Sequence, residues 1–296
     1  MFSIDISNHV SQQESMKRLT THLNCRNNTY LSGPKRFEVS DDKVAWSVEY
    51  KEYKPVQYTA PSVAKGPVWA DKEVTGEKDT LPFNTNDGKT NRTSYYGNYK
   101  VVRGFPLNPV GRTGMIGRGL LGKWGPNHAA DPVVTRFAKD TKGAVVVNAE
   151  SGKPVLEFVA IKRLDTGCWA IPGGMVECGD TVSLTLKKEF GEEALNSMEM
   201  SEGEQAETKK HLDEMFKHGV DLYKGYVDDP RNTDHAWMET AAVNFHDKNG
   251  TFDSFKLHAG DDAGEVCWKV VDKSVKLFAS HSMFIESAAK LNGAHW

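Results

Sequence analysis

The stretch Trp169 to Leu195, WAIPGGMVECGDTVSLTLKKEFGEEAL, constrains this chain more than any other. A Pro-Gly-Gly turn leads into a helix predicted over Asp180 to Leu195, with Asp180 or Thr181 as its N-cap. At about 100° per residue, Val182, Leu186, Phe190 and Ala194 form an apolar stripe, and Glu189, Glu192 and Glu193 fall along its edge. Three carboxylates therefore face one spot. Glu189 and Glu193 are an i,i+4 like-charge pair, which weakens a helix by a few tenths of a kcal/mol unless a cation lies between them. A hard divalent cation resolves that conflict, and oxygen-only ligands suit Mg2+ or Mn2+. Composition alone favours the plainer alternative, a solvated acidic face paired by Lys187 and Lys188. The glycines in front of the helix shift the balance toward a site.

The rest of the composition mostly excludes. At 296 residues the chain is long enough for one large or two modest domains, and no apolar run approaches the roughly 18 residues of a membrane span. A net charge of -3 provides no basic field for a nucleic-acid backbone, so neither nucleic acid nor direct membrane contact is expected. Cys25, Cys168, Cys178 and Cys267 show neither zinc-ligand spacing nor a disulfide framework, which points to a reducing compartment. No secretory or organellar signal is legible at the N-terminus. The expected location is cytoplasmic, or mitochondrial if a transit peptide has been removed.

Residues 1–40 read as a poorly ordered polar segment, with one short helix around Gln12 to Leu23. Residues 41–122 read as an N-terminal cap of short strands and loops, in which aromatic and β-branched residues alternate with polar ones. A Gly- and Pro-rich connection over 104–126 marks the boundary to a domain spanning 123–296. There, strands are predicted at Val155 to Lys162, Tyr223 to Tyr226 and Ala236 to Phe245, with a terminal helix from Ser282 to Leu291. Helices and strands mix without strict alternation, which is the signature of an α+β or mixed α/β sandwich. Trp46, Trp69, Trp237 and Trp268 are expected in the core, with Trp237 a candidate for base stacking. Gly117, Gly119, Gly122 and Lys123 imitate phosphate-binding loops, but Trp124 stands where a hydroxyl is needed and Pro126 stops the required helix.

The turn and helix resemble the Nudix box, G-x5-E-x7-R-E-U-x-E-E-x-G-U, beginning at Gly174. Glu189, Glu192 and Glu193 match its three metal-binding glutamates. Asp180 stands at its first Glu, Lys188 at its Arg and Leu195 at its Gly. The segments KVAWSVEYKEYKPVQYTAPSV, NPVGRTGMIGRGLLGKWGPNHAADP, YKGYVDDPRNTDHAWMET and AGDDAG extend the likeness to the ADP-ribose pyrophosphatase branch of that superfamily, which includes C-terminal domains of melastatin-type cation channels. Lys188 lacks the bidentate fork of arginine, so it cannot orient a glutamate in the same way.

The resemblance implies a small cap followed by a Nudix α/β/α sandwich. It assigns metal to Glu189, Glu192, Glu193 and Gly173, and adds Asp180, Lys188 and Asp262 to the catalytic set. Asn127, His128, Gly174, Asp229, Arg231 and Ser280 become expected contacts to ADP-ribose. Read without it, Asp229 and Arg231 form a turn with a surface arginine, and Asp261 and Asp262 border a glycine loop. The implied activity is Mg2+-dependent hydrolysis of ADP-ribose to AMP and ribose 5-phosphate. The alternative is an ADP-ribose-sensing domain belonging to the remainder of a channel polypeptide.

Overall fold

The computed structural model describes residues 22–31, 33–164, 167–177, 179–195, 201–253, 257 and 263–296. Its contacts divide into two units, Met1–Asn127 with Gly225–Glu239, and His128–Lys224 with Thr240–Trp296. The first crossing between the units falls between Asn127 and His128. The assignment of Gly225–Glu239 to the first unit is invisible in sequence order.

The first unit has little regular structure. Strand β1 (Val56–Thr59) is followed by a single turn, α1 (Pro61–Ala64), with proline at its start, where a missing N–H costs nothing. Strands β2 (Val101–Val102) and β3 (Phe105–Pro106) pair antiparallel, and β4 (Met115–Gly119) runs parallel to β1. The stretch 104–126, expected to be irregular, thus contains two short strands. Its glycines serve close packing. Gly117 has φ +90°, and a Cβ there would strike the Tyr58 carbonyl; a Cβ on Gly119 would strike the Tyr30 hydroxyl.

With so few ladders, main-chain carbonyls need other donors. Buried Arg112 supplies three bonds, to the carbonyls of Lys43 (2.8 Å), Ala45 (2.7 Å) and Val48 (2.9 Å), with its guanidinium 4.9 Å from the Trp46 ring centre. Arg118, 1% exposed, bonds the carbonyls of Asp71 and Gly122 and the Glu73 carboxylate. Two buried carboxylates of Gly225–Glu239 collect donors in the same way. Asp234 accepts from the Tyr53 hydroxyl at 2.5 Å and from the amide and hydroxyl of Thr113. Glu239 accepts from the Ser94 hydroxyl, the Tyr95 amide and the Trp237 indole. Trp237 is therefore core, not a stacking platform. The segment from His22 to Ser40, expected to be weakly ordered, belongs to this network. Cys25, Tyr30 and Val39 are buried, and His22 meets the Tyr226 hydroxyl at 2.9 Å. Its polar composition concealed this, because the burial is secured by hydrogen bonds. Trp69 departs from expectation as well, being 52% exposed.

The second unit is built on alternation. Strands β5 (Gly125–Phe137), β6 (Leu156–Arg163), β7 (Trp169–Ala170), β8 (Gly174–Met175), β9 (Val220–Tyr226), β10 (Ala236–His246) and β11 (Ala263–Val270) form one sheet in the order β11-β6-β5-β10-β9. The strand β7 pairs with β6, and β8 with β5. The chain passes between the units within β5, β9 and β10.

Consecutive strand residues point to opposite faces. Val133, Phe158 and Ala242 accordingly join one apolar cluster, while Val134, Val159 and Val243 join another. The first cluster is closed by Phe284, Ile285, Ala288 and Ala289 of the terminal helix (His281–Leu291). The second is closed by Leu186 and Phe190 of α2 (Val182–Glu193) and Leu212 of α3 (Glu202–Met215). The terminal helix is α4. Helices on both faces of a mixed sheet make the expected α/β/α sandwich. Each fully buried large side chain contributes roughly 1.5–3 kcal/mol. Among the described residues no helix is long and apolar enough to cross a membrane.

Candidate active site

The helix α2 starts where the sequence placed it. Of the two possible caps, Thr181 is the one used, its hydroxyl accepting from the Leu184 amide at 3.2 Å. Asp180 lies in the preceding turn, its amide donating to the Glu177 carbonyl. Leu186, Phe190 and Ala194 are buried, and this stripe sets the helix rotation so that Glu189 and Glu192 come to its half-buried edge. The side chain of Glu193 lies outside the description.

The turn reaches the helix through the sheet. Residues Ala129 and Ala130 of β5 pair with Met175 and Gly174 of β8. A Cβ on Gly174 would fall on the Glu189 carboxyl, so this glycine is what lets the glutamate lie against the turn. Burial, and next the charge of Glu192, push the Glu189 carboxyl up to about 7, against the opposing influence of Lys188. Two neighbouring carboxylates in a half-desolvated place are a donor set that a hard cation would relieve. Magnesium commonly takes one or two protein carboxylates together with water and phosphate oxygens. Among the described residues no three His, Cys, Asp or Glu side chains form a ready-made metal cluster.

Among the described residues, the hydrogen bond of Lys188 goes to the turn and not to a glutamate of the helix. Its Nζ donates to Glu177 Oε2 at 3.2 Å, and that bond holds the ammonium above its ordinary value. Glu177 is exposed and Lys188 partly so, and such a solvent-screened pair adds little stability.

Three residues near the turn escaped the sequence reading. Asp131 follows Ala130 on β5, and its Oδ1 lies 2.5 Å from where a Cβ on Gly173 would be. The Thr240 hydroxyl donates to Asp131 Oδ2 at 2.6 Å, and His281 Nε2 lies 3.8 Å from Asp131 Oδ1. They come from β5, β10 and the start of α4. A strand aspartate before Pro132 and a histidine after the Ser280 cap were the only signals.

The expected substrate residues divide between the units. In the first, Asn127 closes a turn, bonding the amide and carbonyl of Lys123 and the carbonyl of Gly125. Asp229 and Arg231 bind one another. The guanidinium donates through Nε and a terminal nitrogen to the two carboxylate oxygens, each at 2.8 Å, and the Arg231 amide donates to the same group. Arg231 keeps 32% of its side chain exposed, while Asp229 is buried. In the second unit, His128 is buried on β5, and its carbonyl accepts from the Val176 amide. Gly174 lies under Glu189, and Ser280 caps α4 without a side-chain bond. Asp261 and Asp262 lie outside the described residues.

A family model described as "NUDT9-like, N-terminal domain" matches residues 39–125. The mitochondrial ADP-ribose pyrophosphatase of Rattus norvegicus is 52% identical over 280 residues, covering 93% of this chain and 80% of that protein. A putative nudix hydrolase 6 of Caenorhabditis elegans is 48% identical over 270 residues, 90% of this chain and 95% of that one. A transient receptor potential cation channel subfamily M member-like 2 of Nematostella vectensis is 52% identical over 92% of this chain, which spans only 18% of the channel.

Proposed function

The chain belongs to the Nudix hydrolases, in the branch of the ADP-ribose pyrophosphatases, and from that premise we propose that it hydrolyses ADP-ribose to AMP and ribose 5-phosphate with Mg2+. The observation that carries the reading is Glu189 lying against Gly174 with Glu192 beside it on the helix edge. Glu189, Glu192 and Glu193 would hold the cation, with Gly173 offering its backbone and Mn2+ an alternative ion. When bound, the cation neutralises the diphosphate and lowers the pKa of a bound water.

The protein's own part is placement. The Gly174 turn and the Thr181 cap fix the helix start, and the buried stripe fixes the edge on which the glutamates stand. Water adds across the diphosphate: a new P–O bond forms, the bridging P–O bond breaks, and the departing phosphate carries the bridging oxygen. Arg231 is oriented by Asp229 through one edge of its guanidinium, and the terminal N–H groups of the other edge would be those that take a phosphate or a terminal ribose. Asn127, His128 and Ser280 complete the proposed substrate set, with Asp180, Lys188 and Asp262 in supporting catalytic roles.

The match to a channel polypeptide favours a second reading, in which the chain binds ADP-ribose and turnover is incidental. Incubation with ADP-ribose and Mg2+, with and without a chelator, separates the two. Chelator-sensitive release of AMP supports the hydrolase. Tight binding without AMP in either Mg2+ or Mn2+ overturns it in favour of the sensor.

A further inference from the structure

The two adjacent glycines of the turn are each covered by a carboxylate from a different element, Glu189 of α2 over Gly174 and Asp131 of β5 over Gly173. Strand register explains the second cover. Ala130 pairs with Gly174, so the next residue of β5 comes level with Gly173 on the antiparallel partner. Asp131 is only 7% exposed and is itself held. Thr240 donates to one oxygen at 2.6 Å. The other oxygen faces His281 Nε2, and because His281 Nδ1 accepts the Ile171 amide at 2.9 Å, a neutral ring carries its proton on Nε2, toward Asp131.

We propose that Asp131 is a positioning residue for the glutamate centre: it clamps the Gly173–Gly174 turn to β5, β10 and α4, and so sets where the turn backbone and Glu189 meet the cation. This rests on the metal-dependent reading above. A turn could be pinned by an amide or a hydroxyl at smaller cost, since burying a charge near a second carboxylate disfavours folding. A carboxylate is well placed there if a cation is to share the neighbourhood. Outer partners of metal sites commonly set affinity or activity by about 10–100-fold.

The test uses the full chain, with Mn2+ as the probe, titrated without substrate by electron paramagnetic resonance, alongside steady-state kinetics and thermal unfolding. Asp131→Asn keeps the size, but it removes the charge that faces His281 and replaces one of the two carboxylate oxygens with an N–H donor, which cannot accept from Thr240. It is expected to weaken Mn2+ binding about tenfold or more and to lower kcat in step, with KM for ADP-ribose nearly unchanged. Thr240→Val is expected to weaken Mn2+ severalfold, and Thr240→Ser to restore it. If Asp131→Asn does not fold, the Val and Ser pair decides. Parental Mn2+ affinity and kcat in Asp131→Asn, or equal weakening by Val and Ser, overturns the proposal. Glu192→Gln separates the two layers. If it loses Mn2+ while Asp131→Asn does not, only the positioning role fails. If neither the parental chain nor Glu192→Gln binds Mn2+, the metal reading fails and the positioning role with it.

Discussion

The two units solve the same problem with opposite means. The second hides its backbone in a seven-stranded sheet and stabilises it with apolar side chains sorted by strand alternation onto two faces. The first has strands of two to five residues and satisfies its loops with buried Arg112, Arg118, Asp234 and Glu239. The difference teaches where each is vulnerable. An apolar core spreads its stabilisation over many contacts, whereas a polar network concentrates it in groups whose loss strands their partners.

Function gives the largest break in that comparison. Glu192→Gln is expected to reduce turnover at least a hundredfold while the unfolding temperature stays near parental, because a near-isosteric amide on a half-buried edge disturbs neither cluster. Near-parental turnover would remove the helix from the chemistry. Next comes Phe190→Ala, which empties a fully buried place in the second unit and is expected to cost about 3–5 kcal/mol in denaturant unfolding. Arg112→Met keeps the bulk but removes a donor from three carbonyls; that of Ala45 still accepts from the Val48 amide, so the loss falls on those of Lys43 and Val48, at about 1–3 kcal/mol for each group that water cannot reach. Hydrogen exchange should localise that loss to residues 43–48. An unchanged pattern there would mean the arginine is dispensable.

The last comparison is in pH. Burial pushes Asp234 up to about 6 from an ordinary 3.8, so the folded state holds its proton more tightly than the unfolded chain. Its contribution is full below 3.8 and falls as pH rises to about 6. Glu189 behaves alike in the second unit, from 4.5 to about 7. Asp234→Asn should flatten the first decline, and added Mg2+ should flatten the second by favouring the ionised glutamate. The pH-dependent part of each difference, measured by chemical denaturation from pH 4 to 8, is the readout; parallel curves would contradict it.

The sequence announces what is periodic or contiguous. The apolar stripe of α2, the strands later seen as β6, β9 and β10, and the helix α4 are each legible within one short window, with ends within a few residues of those observed. The turn and its glutamates are legible for the same reason. Asp131, Thr240 and His281 are not, because they lie on three segments that only the sheet order brings together. The region from His22 to Ser40 misled for a different reason. Its burial rests on hydrogen bonds such as that of Arg36 to the Pro230 carbonyl, and polar composition reads as solvation unless the distant acceptor is known. Trp69 shows the converse, since aromatic identity alone does not secure burial.

The excursion of Gly225–Glu239 into the first unit bears on how the protein is made. Synthesis delivers the N-terminal 127 residues long before the fifteen that complete their network. Until those emerge, Tyr53, Thr113 and Ser94 have no Asp234 or Glu239 to bond. At about 5–20 residues per second, the nascent chain waits on the order of ten seconds with that half unfinished. Within this chain the first unit is therefore the one whose buried partners arrive late, and chaperone cover during that interval would protect it.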